Sequence, residues 1–153
     1  MTNTYLSFIV CNELFAVNVT KVLEVLQKQH ITKVPNVPQY IKGIINFRGE
    51  VVPVFESRVK FNLPERDDND NYVVIVLDLE GSGESVRIGA LVDKVKDVIN
   101  IDDNEIKPVP KMSTEFNSDF LKGIYKLRDS FVLLLDIDKV FSTSEIVKLQ
   151  EVE

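Results

Sequence analysis

Two similar segments of this chain, 80 residues apart, constrain its fold more than any other feature. GIINFRGEVVPVF begins at residue 43, and GIYKLRDSFVLLL begins at residue 123. Each phrase has two apolar runs around a polar turn, which is the pattern of a β-hairpin. When 42–61 is laid over 122–141 without gaps, six positions are identical: Lys42/Lys122, Gly43/Gly123, Ile44/Ile124, Arg48/Arg128, Val52/Val132 and Phe61/Phe141.

A second block repeats upstream of the hairpin in both halves. FAVNVTKVLEVL, residues 15–26, lies over IGALVDKVKDVI, residues 88–99, and a Val-Pro pair follows before each hairpin. Chance explains one apolar hairpin that resembles another, but it explains two blocks in a fixed order less well. The repeat therefore indicates a duplicated structural unit.

The spacing of apolar residues predicts strands over most of the chain. Leu6, Phe8 and Val10 share one face of an extended segment, as the two-residue period of a strand requires. The offset of 73 to 80 residues between the repeated blocks suits a small five-stranded barrel. We therefore predict an all-β fold, a single domain over 1–153 made of two intertwined SH3-like five-stranded β-barrel subdomains. Their predicted ranges are about 15–65 and about 72–141, with terminal segments open to exchange between them, short helical turns, and a short C-terminal helix that Ser142 to Glu145 would cap.

Each barrel needs cover for part of its surface. Units of this size bury only about 60% of their unfolded surface and are marginal alone. The runs VVPVF and FVLLL are apolar on both faces of the strand, so the second face must pack on the sister barrel or on another protein. The segment from Glu65 to Asn71 is polar throughout, and we predict that it is an exposed loop.

Charge and composition exclude several classes of function. The net charge is −6 and no run of Lys or Arg occurs, so we expect no binding to nucleic acid or to an anionic membrane surface. No apolar stretch approaches the length of a membrane span, and the N-terminus does not resemble a secretory signal. A single cysteine suits a reducing cytosol, so the predicted location is cytoplasmic.

Residues that perform catalysis or bind metals are few. Cys11 and His30 are the only cysteine and histidine, which is too few for a zinc site. The acidic run at 67–70 lacks the glycine and distal glutamate of an EF-hand. Without Trp, a groove for proline-rich peptides is also unfavourable. We therefore predict a non-enzymatic binding protein with no cofactor and no metal.

Both hairpins carry an arginine at the tip, Arg48 and Arg128. Gly49 supplies the positive φ that a tight turn needs, and Asp129, at the matching position, tolerates that geometry. Two interpretations of the arginines remain open. Spacing alone favours a solvated turn charge paired with Glu50, worth well under about 1 kcal/mol. The alternative is an arginine that binds a partner, since arginine is enriched at interface hot spots.

The stretch VPQYIKGIINFRGEVVPV, residues 37–54, resembles the signature of the CheW family of chemotaxis coupling proteins. The likeness extends to 15–25 and 88–98. It implies a non-enzymatic adaptor that joins the cytoplasmic tips of methyl-accepting chemoreceptors to the regulatory domain of the chemotaxis histidine kinase. Such an adaptor is largely monomeric alone, assembles in arrays, and is recruited to the inner face of the membrane through the receptors. A related scaffold of another chemosensory-like system, such as surface motility, is the alternative, followed by a generic peptide-binding module.

The resemblance also implies a set of partner-binding residues. Arg48 matches the position for receptor coupling, Gly49 keeps its turn, and a bulkier residue at Gly43 is expected to crowd the same groove. The remaining matches are Val22, Glu24 and Val98. Packing in the core for the two valines, a backbone requirement for Gly43 and a plain surface charge for Glu24 remain open as alternatives.

One segment departs from the family pattern. The family usually follows its first hairpin with Asp-Leu-Arg, whereas this chain has Glu56-Ser57-Arg58. A leucine buried at a barrel contact would contribute about 1.5–3 kcal/mol. Its replacement by Ser57 is therefore expected to change the partner set or the affinity.

Overall fold

Ten strands form two five-stranded sheets within the part of the chain that the structure, a computed structural model, describes: residues 1–67, 70–80, 85–110 and 120–141. The strands are β1 Thr2–Val10, β2 Glu13–Asn18, β3 Val22–Leu26, β4 Ile41–Phe47, β5 Glu50–Glu56, β6 Val73–Glu80, β7 Ser85–Val92, β8 Lys94–Asp102, β9 Leu121–Leu127 and β10 Ser130–Leu135. Two short helices, α1 Ser57–Lys60 and α2 Ile137–Val140, follow the hairpins, and 3-10 turns occupy Val19–Lys21 and Asp103–Glu105. The predicted C-terminal helix lies outside the described residues.

The two sheets have the same strand order when β1–β5 are exchanged for β6–β10. One sheet runs β3-β6-β7-β5-β4 and the other runs β8-β1-β2-β10-β9. We call them the β4–β5 barrel and the β9–β10 barrel. In each, a parallel pair joins strands from opposite halves of the chain, β5 with β7 and β10 with β2. This confirms the predicted all-β class, the intertwined arrangement and the duplicated order of elements.

Each barrel closes through a short bridge between its two edges. Thr32, after β3, pairs with Ile44 on β4, and Lys107, after β8, pairs with Ile124 on β9. Because β3 and β4 are the two edge strands of their sheet, the Thr32–Ile44 pair draws those edges together. The equivalent pair does the same in the sister barrel.

The core has three parts, one inside each barrel and a larger one between them. Alternation along the strands divides the residues: Tyr5 points into the β9–β10 barrel, whereas Leu6, Phe8 and Val10 belong to the cluster between the barrels. The inside of the β4–β5 barrel contains Ile45, Phe47, Val52, Val54, Val74, Val76 and Leu91. The second apolar face of the strands is therefore covered mainly by the sister barrel, as expected.

The segment between the halves differs from the prediction of an exposed loop. The Arg66 side chain is only 5% exposed and forms two hydrogen bonds of 3.2 Å with the Glu56 carboxylate. Charged side chains are almost never buried unless they are paired. Because the surrounding residues are all polar, nothing in the local sequence indicates that this arginine turns inward.

The departure at Ser57 lies inside the molecule. Ser57 is 1% exposed at the start of α1. It lines a small cavity of about 10 Å³ between the barrels, together with Phe8, Ile75 and Phe141. Ile137 occupies the corresponding place after the second hairpin. The substitution at Ser57 thus concerns the contact between the barrels.

Candidate partner-binding site

The tip of the β4–β5 hairpin is a two-residue turn. Arg48 has a φ of +53° and Gly49 a φ of +84°, and two positive φ values are the requirement of a type I′ turn. The Asn46 side chain accepts a 2.9 Å hydrogen bond from the Gly49 amide. The predicted role of Gly49 in the turn is confirmed. In the sister hairpin the first turn residue, Arg128, has the positive φ, at +57°, and the second, Asp129, does not. The expectation that Asp129 adopts a positive φ is therefore wrong.

Arg48 projects from this tip into solvent. Its side chain is 61% exposed, and its guanidinium carbon lies 4.7 Å from the centre of the Phe47 ring. The Arg48 Nη2 atom is 3.7 Å from the Glu24 Oε1 atom on β3. The expected partner Glu50 pairs instead with Arg87, at 3.0 Å. An exposed ion pair at this distance contributes little to stability, so Arg48 can exchange Glu24 for an external carboxylate at little cost.

Gly43 lies on β4, the strand that leads to this tip, and is buried. Its φ is +156°, and a Cβ atom there would lie 2.3 Å from the Thr32 carbonyl oxygen. That oxygen accepts a 2.8 Å hydrogen bond from the Ile44 amide, and the Thr32 amide donates to the Ile44 carbonyl at 2.9 Å. A side chain at Gly43 would therefore strike the backbone that closes the barrel. Gly123 shares the steric obstacle, because a Cβ atom there would lie 2.9 Å from the Lys107 carbonyl oxygen, but it does not share the positive φ.

The two valines lie in different environments. Val22, on β3, is half-buried and packs against the cluster between the barrels. Val98, on β8, is 64% exposed, so its side chain is not part of the core. The structure thus brings Arg48, Gly49 and Glu24 together and places Val22 on the same strand as Glu24. Val98 lies on the other sheet.

The exposure of several apolar residues was not predicted from the sequence. Val51 is 63% exposed, Phe131 58% and Leu23 36%. Val51 and Phe131 occupy equivalent places on the two hairpins, 80 residues apart. Within the runs VVPVF and FVLLL every side chain is apolar, so composition does not distinguish the outward positions. Only the distance from the turn could have identified them.

A cluster of four charges joins the barrels away from the hairpin tips. Arg58 contacts both oxygens of Asp93, at 3.2 Å and 2.8 Å, and Arg66 bridges Asp93, at 2.6 Å, to Glu56. The Cys11 amide, in the turn between β1 and β2, donates to Asp93 at 2.8 Å. Asp93 itself connects β7 of one sheet to β8 of the other. The cluster therefore fixes elements of both barrels at one point.

The same contacts set the charge states in this cluster. Burial alone would raise the pKa of the Asp93 carboxyl, but the hydrogen bonds from Arg58 and Cys11, with Arg66 nearby, outweigh burial and lower it. The hydrogen bond with Asp93 raises the pKa of Arg58. Both groups therefore stay ionised at neutral pH and bind each other, which suits a structural role.

Two further kinds of feature are absent from the described ranges. They contain no group of three or more Cys, His, Asp or Glu side chains that could hold a metal ion. Of the helices that the structure describes, none is both long and apolar enough to cross a bilayer.

Comparisons with known proteins agree with this architecture. The family model described as a CheW-like domain matches residues 4–145. The chain is 33% identical to the chemotaxis protein CheW of Klebsiella aerogenes, over 97% of this chain and 87% of that protein. It is 31% identical to the chemotaxis protein CheW of Bacillus subtilis, over 87% and 83%. The solved scaffolding protein TtCheW of Thermoanaerobacter tengcongensis is similar with a TM-score of 0.81 and 30% identity, covering 95% of this chain and 96% of that one. This chain belongs to the family of CheW-like domains.

Proposed function

We propose that this chain is a non-enzymatic scaffold that couples chemoreceptors to a histidine kinase in a chemotaxis signalling assembly. The observation that carries the proposal is the likeness to chemotaxis CheW proteins and to a scaffolding protein over nearly the whole chain. A scaffold needs separate docking surfaces on a rigid body. The two barrels offer such surfaces, and the buried charge cluster holds them together.

The first docking surface is the group formed by Arg48, Gly49 and Glu24, with Val22 beside it. A planar guanidinium on a rigid turn can form two parallel hydrogen bonds with a partner carboxylate. Because the existing contact to Glu24 is 3.7 Å long and exposed, little is lost when a partner replaces it. We assign this surface to binding of the cytoplasmic tip of a receptor. We assign binding of the kinase regulatory domain to the remaining surface of the scaffold. The receptors would hold the assembly at the cytoplasmic face of the membrane.

Binding and kinase control can be tested with purified components. A receptor cytoplasmic fragment and the kinase are mixed with this protein, and both complex formation and autophosphorylation are measured. Arg48→Ala is expected to weaken receptor binding by about thirty-fold, which corresponds to the roughly 2 kcal/mol that marks a hot-spot side chain. Arg87→Ala is the matched control, because Arg87 is another exposed arginine of the same barrel and pairs with Glu50. It should change binding less than about two-fold.

The result that contradicts the proposal is also specific. A wild-type chain that binds neither the receptor fragment nor the kinase regulatory domain would refute the coupling function. If Arg48→Ala and Arg87→Ala weaken receptor binding equally, the proposed coupling function still stands. The assignment of the receptor surface to the hairpin tip would then be refuted.

A further inference from the structure

The outward face of the β9–β10 hairpin differs in charge from the same face of its sister. Lys126 lies directly opposite Phe131 across the two strands, so both side chains emerge on one face. At the equivalent positions of the first hairpin, Asn46 lies opposite Val51. A cation beside an exposed aromatic ring thus replaces a neutral amide beside a valine.

The arginine at the tip differs in its pairing as well. Arg48 has Glu24 within 3.7 Å. Asp97 occupies the place of Glu24 in the repeat, yet no ion pair within 4.0 Å joins it to Arg128 in the part of the chain described. Lys126 likewise forms no ion pair with any described residue. Among the described residues, the hairpin therefore presents two cations without an ion pair around Phe131, which is 58% exposed, on a protein whose net charge is −6.

We propose that the surface formed by Lys126, Arg128 and Phe131 docks a second protein partner, whose contact is an apolar pocket rimmed by carboxylates. Aromatic and arginine side chains dominate binding energy when a partner covers them, and rim charges steer association. The overall negative charge of the chain disfavours a nucleic acid or an anionic membrane as the occupant. This inference rests on the proposed scaffold function and makes its two docking surfaces chemically different.

The test uses the full chain and two probes, the kinase regulatory domain and the receptor cytoplasmic fragment. Phe131→Ala is expected to weaken binding of one probe by about ten-fold or more. The double variant Lys126→Gln with Arg128→Gln is expected to weaken the same probe at low salt and to differ less from wild type at high salt, because exposed charges are screened. The control is Lys28→Gln with Lys33→Gln, which removes the same charge from exposed positions elsewhere.

Each outcome decides the proposal. A loss confined to the hairpin variants, with the control within about two-fold of wild type, supports it. If wild type binds a probe and every variant binds equally well, this inference fails while the scaffold function stands. If wild type binds neither probe, both fail. Self-association of the chain alone that Phe131→Ala abolishes would also overturn it, because the occupant would then be a second copy.

Discussion

Replacing Gly43 by alanine is expected to destabilise the fold and not merely to remove a binding surface. The added Cβ atom would lie 2.3 Å from the Thr32 carbonyl oxygen and 2.8 Å from the Ile31 side chain. Backbone atoms cannot move aside as the end of a flexible side chain can. The strand and the segment after β3 must therefore separate, and the bridge between Thr32 and Ile44 opens.

The size of the effect follows from the hydrogen bonds that break when this bridge opens. Two backbone hydrogen bonds of 2.8 and 2.9 Å close it, and each contributes about 0.5–1.5 kcal/mol net. A residue other than glycine at a positive φ adds about 1–2 kcal/mol. The free energy of unfolding should fall by about 2–5 kcal/mol, which for a chain of this size lowers Tm by about 4–20 °C.

Chemical and thermal unfolding of purified Gly43→Ala measures this loss. Gly49→Ala is the matched control, because Gly49 also has a positive φ but has nothing within 4 Å of its added Cβ atom. It should lose only the conformational contribution of about 1–2 kcal/mol. Gly123 has no positive φ, so Gly123→Ala should lose only the two backbone hydrogen bonds of its bridge, about 1–3 kcal/mol. A Gly43→Ala protein that unfolds like wild type but no longer binds receptor would refute the reasoning and assign Gly43 to the partner surface.

Three further predictions concern the charges and a cap. Arg66→Met leaves Glu56 and Asp93 buried without their shared partner and should cost about 3–5 kcal/mol in urea unfolding; a loss under about 1 kcal/mol would show that water replaces the arginine. The pKa of Asp93 is lowered because hydrogen bonds from Arg58 and Cys11 outweigh the opposing effect of burial, so its stabilising effect is complete above the ordinary Asp pKa of about 4 and is lost as the pH falls through the lower folded value. Asp93→Asn should flatten that acid limb of a stability–pH curve, and an unchanged limb would exclude Asp93 as its cause. Asp102→Ala removes the capping box of the 3-10 turn Asp103–Glu105 and should cost about 1 kcal/mol, whereas unchanged thermal unfolding would mean that the cap contributes nothing.

The strands and their duplication were predictable because they depend on local signals. Alternation places Leu6, Phe8 and Val10 on one face, and the structure packs all three between the barrels. The repeated glycines Gly43 and Gly123 mark equivalent bridges to a neighbouring backbone. Each of these close approaches to a neighbouring backbone requires a glycine, so the sequence shows a glycine at both places.

Features that depend on distant residues were less accessible. The sequence around β2 does not reveal that its parallel neighbour is β10, because an apolar strand with two buried faces fits either sheet. Arg66 stands in a polar run, and only the arrival of Glu56 and Asp93 makes it an interior residue. Within the candidate site, the exposure of Arg48 followed from the turn, whereas the exposure of Val51 and Phe131 did not.

The exchange of strands between the two barrels also determines when each sheet can be completed during synthesis. The hairpin β1–β2 leaves the ribosome first, but its neighbours in the sheet, β8 and β10, come from the second half of the chain. Until those strands emerge, Phe8 and Phe15 lack much of the layer that covers them, and exposed strands of this kind are prone to aggregate. The β1–β2 hairpin must therefore remain in an incomplete sheet until β8 has been made, and only the β9–β10 hairpin completes the barrel that contains it.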